Sequence, residues 1–260
     1  MQDRRRRLTR ARLPGLAVLL CVAAALAAPA SQALTGWGID QRQFSAQGDS
    51  TLRVAPYAFS IWGLIYAGLL AYAVRRVVQG RGGAAERAVD APLAAASLGC
   101  GLWIVAAGLN QLWLTVIVIV ASLAAALAGL ARLKRVAPAP PIVAWPIAGL
   151  AGWLTAAAMV NILTVLTAKG LIAPAAAQTA ALAGIAAASL LALAVLWSTR
   201  FSSYALPAAW GLVGAYVAER DGQPIVALSA LGCAVVLLVV AMAVFLTSSR
   251  GARIDSPSLR

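Results

Sequence analysis

The stretch LWLTVIVIVASLAAALAGLA, Leu112–Ala131, holds no charged residue in twenty positions. A bilayer's hydrocarbon core, about 30 Å thick, needs roughly 20 apolar residues when crossed as a helix. In lipid every backbone polar group must find a partner within the protein, and a helix supplies those partners inside one segment. The alternation of polar and apolar residues that marks a membrane β-barrel does not occur in this stretch. Outward from it lie seven further apolar runs: Leu13–Leu34, Pro56–Val74, Ala91–Leu109, Ile142–Leu166, Ala175–Ser198, Tyr204–Ala218 and Pro224–Thr247. Ala91–Leu109 almost touches Leu112–Ala131, which predicts a tight turn near Asn110–Gln111. The run Tyr204–Ala218 is the shortest. The expected fold is all-α, a polytopic transmembrane helical bundle of about eight helices.

Composition agrees. Hydrophobic residues make up 62% of the chain and charged residues 11%, with a mean hydropathy of +0.86. A soluble domain carries roughly 25% charged residues. The net charge of +13 would suggest nucleic acid in a soluble protein, but here its distribution has a topological explanation. With the N-terminus placed inside, 17 of the 21 Lys and Arg residues fall on the inner side and only Arg42, Arg53, Lys169 and Arg220 on the outer. That bias is the positive-inside pattern, and one span more or fewer would reverse the loops beyond it. The expected placement is the inner (plasma) membrane, multi-pass, with both termini cytoplasmic. No nucleic acid partner is expected, while anionic lipid suits the N-terminal arginines. A rival reading takes the Arg-rich start, the first apolar run and Ala28–Ala33 as a cleavable leader, which would leave seven spans.

The acidic residues and the Lys and Arg residues all fall outside the apolar runs. Ionisable groups at membrane depth mark proton relays and ion-coupled pumps, so this placement speaks against proton-driven transport. The chain has no His, which removes imidazole ligands and the usual acid–base partner of a Ser or Cys nucleophile. No catalytic residue, metal ligand or resident cofactor is expected, and the chain is read as a non-enzyme. Cys21, Cys100 and Cys233 lie far apart inside apolar runs and read as packing residues.

The polar groups at membrane depth are amides, hydroxyls and indoles. At 100° per residue, Phe59, Trp62 and Tyr66 share one helix face. Trp103, Ala106, Asn110 and Trp113 follow at spacings of three, four and three. Trp153, Ala157 and Asn161 form a stripe at spacings of four. Indoles and amides also have ordinary duties in membranes. Trp37, Trp145 and Trp197 near run ends suit the headgroup belt. Asn110 and Asn161 read equally as interhelical glue, worth about 1 kcal/mol, or as ligand contacts.

These clusters resemble the TspO/MBR family, the tryptophan-rich sensory proteins related to the mitochondrial translocator protein. The family's second helix carries P-x-x-F-x-x-W-x-x-x-Y, matched by Pro56, Phe59, Trp62 and Tyr66. Its third carries L-N-x-x-W, matched by Leu109, Asn110 and Trp113. Its fifth carries W-x-x-x-A-x-x-x-N, matched by Trp153, Ala157 and Asn161. The resemblance implies a TspO-like five-helix core over residues 1–168, with three extra helices and a tail over residues 169–260. It also implies an aromatic pocket between helices, open toward the long loop Thr35–Val54. The implied ligand contacts are Phe59, Trp62, Tyr66, Trp103, Asn110, Trp113, Trp153, Ala157 and Asn161. The implied occupant is a hydrophobic small molecule, a tetrapyrrole (porphyrin) or a sterol-like compound, with a second copy of the chain as a candidate partner (a homodimer). The expected role is ligand binding, with facilitated transport of such a solute or a non-catalytic assembly role as alternatives.

Overall fold

The computed structural model describes residues 2–136 and 139–254, with side chains over 12–136 and 139–247. The Pro-rich break at residues 137–141 therefore lies partly outside the described residues, as do the side chains of the first arginines and residues 255–260. The described residues form α1 (Gln2–Thr35), α2 (Gln41–Ala46), α3 (Ile61–Gln79), α4 (Ala84–Gly108) and α5 (Leu112–Lys134), followed by α6 (Pro141–Ala168), α7 (Ala177–Thr199), α8 (Ala205–Glu219) and α9 (Pro224–Ile254). No strand occurs among them. Seven of these helices are long and apolar enough to cross a membrane: α1 from Arg12, α3 with its leading turn from Pro56, α4, α5, α6, α7 with its leading turn, and α9 to Thr247. The fold is a polytopic helical bundle.

The eighth expected run becomes α8, only 15 residues long, or about 22 Å. A 3-10 turn, Ser202–Tyr204, precedes it. Tyr204 is fully buried, and its hydroxyl shares a hydrogen bond with Thr155 of α6 at 2.5 Å. A side chain on Gly152 of α6 would collide with the Tyr204 carbonyl, so only glycine admits this close entry. The far end of α8 lies beside Arg53, in the loop over the end of α6. α8 thus runs beside the second half of α6, from Thr155 to the loop at Arg53, and α9 follows it.

Helix α6 is the hub. It packs on α3, α5, α7 and α8 and buries residues around its whole circumference, as expected for a helix apolar on all sides. α1 packs on α3 and α4, seating Val18, Val22 and Ala25 in the core. The turn between α4 and α5 falls at 109–111, where the sequence reading puts it, with Asn110 in the left-handed region at φ 54°. Asn tolerates that conformation better than most residues.

The helices outrun the hydropathy runs. α3 continues to Gln79 and α4 starts at Ala84, because backbone hydrogen bonding rather than apolarity sets a helix end. Arg76 and Asp90 consequently lie within helices, 2% and 6% exposed. Arg76 Nε donates to Asp90 Oδ2 at 2.9 Å and Nη1 to the Gly80 carbonyl at 2.6 Å. Tyr72 donates to Asp90 Oδ1 at 2.5 Å, and Arg75 donates to Glu86 at 3.1 Å. This cluster closes the end of the bundle that carries residues 80–83. The opposite end, bearing residues 36–55, holds the candidate site.

Candidate functional site: an aromatic cavity under a short helix

Three indoles from three helices converge at that end. Trp62 of α3 meets Trp153 of α6 edge to face, centroids 5.9 Å apart at 78°. Phe59 meets the same ring at 6.5 Å and 79°. Trp62 also stacks on Tyr66, 5.2 Å away at 21°. Trp103 of α4 lies against Phe44 of α2, 5.5 Å apart at 78°. Edge-to-face and offset contacts of this kind satisfy the ring quadrupoles. The rings are thereby fixed in place and leave a space between them.

That space is a narrow, part-open cavity of about 60 Å³. Phe59, Trp62, Trp103, Trp153, Ala157 and Asn161 line it, beside Cys100, Ile119, Ser122, Thr164 and others. None of its lining residues is Asp, Glu, Lys or Arg. The hydrogen bonds of Asn161 tie three helices together. Its Oδ1 accepts from Trp103 Nε1 at 3.3 Å, and its Nδ2 donates to Thr115 of α5 at 3.0 Å. Asn161 is therefore both interhelical glue and part of the cavity wall.

Of the nine residues expected to contact a ligand, these six share one cavity. Tyr66 lines an adjoining space with Phe59, Trp62, Trp37, Gln32 and Arg42. Asn110 and Trp113 are placed elsewhere. The chain turns at 109–111, so the 3-4-3 spacing from Trp103 does not continue on one helix. Asn110 accepts a hydrogen bond from Gln47 at 3.1 Å, and Trp113 is half exposed on the outside of α5.

Sequence reasoning missed the cover. α2 contributes Gln41, Phe44 and Ser45 to the cavity. Its start is a capping box: the Gln43 N–H donates to Asp40 Oδ1 and the Asp40 N–H donates to Gln43 Oε1, both at 2.8 Å. The signal was present as Asp40-x-x-Gln43, an N-cap acid with Gln three residues on. Phe44, 2% exposed, anchors the cover against Trp103, Ala107 and Val165. The cover is fastened at both edges. The Ile39 N–H donates to the Gly108 carbonyl at 3.1 Å. Thr167 donates to Thr51 at 2.7 Å. The Arg53 backbone N–H donates to Glu219 Oε1 at 2.5 Å and its guanidinium to Oε2 at 3.0 Å. Glu219 is fully buried. Burial pushes the nearby Asp49 carboxyl above its usual value; Arg53 pulls it down and Glu219 adds to the rise.

α8 joins the wall through Gly211. A Cβ there would stand 2.7 Å from Ala156 Cβ, so the missing side chain lets α8 approach α6. Trp210 Nε1 donates to the Ala58 carbonyl at 3.0 Å, and the Ala55 N–H donates to the Gly214 carbonyl at 3.0 Å. The cavity therefore draws on residues from both sides of position 168.

A family model described as TSPO-like protein matches residues 15–243 of this chain. The match continues through α7, α8 and most of α9. No curated protein and no solved structure matches the chain.

Proposed function

The chain belongs to the TSPO-like protein family, and on that premise we propose that this multi-pass membrane protein binds a flat hydrophobic small molecule in the cavity under α2. One observation carries the reading: Trp62, Trp103 and Trp153, from three different helices, line one cavity with Asn161 among them. Indole faces and edges suit a flat aromatic or alicyclic body, and apolar clefts with a few placed polar groups are the usual form of a small-molecule site. A neutral tetrapyrrole or a sterol-like compound has the required character. Residues 1–168 supply the aromatic residues and the cover, and α8 adds Gly211 to the wall. The arginine distribution supports a plasma-membrane orientation with both termini on the cytoplasmic side.

Binding is favoured over passage. The opposite end of the bundle is filled by the Arg76–Asp90–Tyr72 cluster and by fully buried Leu69 and Leu93. A solute crossing the bundle would have to disrupt buried ion pairs. No catalytic step is proposed, because no ionisable acid–base pair lines the cavity.

The test is quenching of Trp fluorescence by octaethylporphyrin in the purified full-length protein. Saturable quenching is expected, with affinity at least tenfold lower in a Trp62→Leu, Trp103→Leu double variant. Equal affinity in the two proteins would remove the cavity from the reading.

A further inference from the structure

We propose that the occupant of this cavity is uncharged and presents a hydrogen-bond acceptor, a carbonyl or an equivalent heteroatom, to the indole N–H of Trp153. The proposal rests on the reading of the cavity as a ligand site and adds the chemistry of what it selects.

Trp153 is 4% exposed, and its Nε1 has no hydrogen-bond partner among the described residues. Native proteins rarely leave a buried donor unmatched, because it forfeits its bond to water without a replacement. The other two cavity indoles differ. The Trp103 N–H is taken by Asn161, and Trp62 is only partly buried. Ser97 Oγ is also unpartnered and buried, but Ser97 lines neither this cavity nor the spaces beside it. Among the described residues, Trp153 is thus the cavity-lining residue with a buried, unmatched donor. Its ring is held in edge-to-face contact with Phe59 and Trp62, which opposes a turn toward a partner elsewhere. A water molecule would satisfy it but needs two to four polar partners of its own, and the wall here is mainly apolar. An acceptor carried on an apolar body meets both requirements.

The same wall rejects charge. Arg42 and Arg53 line the spaces on either side of α2 and do not line this cavity. A carboxylate brought inside would lose its hydration and find no cation, a loss larger than one hydrogen bond returns.

Three flat probes on one ring frame separate these demands: fluorene, 9-fluorenone and 9-fluorenone-4-carboxylate. Each is titrated against the full-length protein in nanodiscs, with affinities corrected for partitioning into lipid. The ratio of fluorenone to fluorene affinity is expected to fall about five- to tenfold in Trp153→Phe, the worth of one neutral hydrogen bond. Fluorene affinity in the same variant measures the packing lost with the smaller ring, so the ratio isolates the N–H, and the thermal unfolding of the variant reports that it folds. The carboxylate should bind most weakly. Labelled with ¹⁵N-indole, one of the eight Trp side chains should shift downfield with fluorenone and not with fluorene, and that signal should be missing in Trp153→Phe. An unchanged affinity ratio, no such shift, or tightest binding by the carboxylate overturns the proposal. Should fluorene bind and be displaced by cavity-filling Ala157→Phe, the site itself survives that failure. Should no probe bind, or Ala157→Phe leave all three unaffected, the site reading falls with it.

Discussion

The two ends of the bundle treat buried polarity in opposite ways. At the end that carries residues 80–83, the charged groups Arg76, Asp90 and Glu86 each have a named partner, and Tyr72 completes the set. At the end under α2 the wall is mainly apolar, yet it keeps an indole N–H with no partner among the described residues. Both ends are made of helix termini and their connections, residues 80–83 at one and the long loop with α2 at the other. The difference lies in whether the protein matches its own polar groups. A fully matched cluster has no capacity left for a ligand and serves only to hold helices together. A buried donor left unmatched on a cavity-lining residue has a cost that an acceptor on an occupant would relieve.

The comparison breaks most visibly at the closed end. Asp90→Ala leaves Arg76 buried without its counter-charge, and losing one member of a buried pair costs about 3–5 kcal/mol. Thermal unfolding in detergent should show that loss, while the protein that remains folded keeps its affinity for octaethylporphyrin. A large affinity change would mean the two ends are not separate in function. The fastening of the cover comes next. Arg53→Ala leaves the buried Glu219 carboxylate its backbone N–H donor but no counter-charge, and because the Arg53 side chain is 40% exposed the expected cost is about 2 kcal/mol. Limited proteolysis should then cut within residues 41–55 sooner than in the parent protein. Unchanged cleavage would show that Phe44 and Thr51 hold the cover by themselves.

The smallest effect concerns Asp49. Its pKa is raised from 3.8, first by burial. A carboxyl whose folded pKa lies above its unfolded one favours the fold while protonated. That contribution is present below the unfolded value and is lost as pH rises through the folded one. Asp49→Asn does not titrate, so its stability advantage should grow from about pH 4 upward and level off at a few tenths of a kcal/mol. A stability difference independent of pH would assign the effect to shape instead of charge.

Much of this was legible in the sequence, because lipid permits few solutions. Apolar runs of sufficient length become helices, and Pro56, Phe59, Trp62, Trp153 and Asn161 fall into place once helical spacing is applied. Reading failed where helical spacing was carried across a break. Trp103 and Trp113 align only if the chain continues straight through Asn110, and it turns there. The limits of apolarity also misled, since Arg76 and Asp90 look like loop residues by hydropathy and are buried helix residues by pairing. That pairing joins residues 14 apart and leaves no periodic trace. The cover was least visible of all. Its helix is six residues long and amphipathic around a single Phe44, too little to stand out beside spans of twenty.

The joint between Arg53 and Glu219 has a consequence in time. The two residues are separated by 166 positions. A ribosome adding 5–20 residues per second needs roughly ten to thirty seconds to make that interval. Arg53 and Trp62 exist for nearly all of that period and Trp153 only for its later part, while the α8 wall and the acid that fastens the cover are still to come. The aromatic chamber is begun with the second span and is among the last parts of the molecule to be sealed. Until α8 is made, the chamber lacks the wall at Gly211 and its cover lacks the Glu219 anchor.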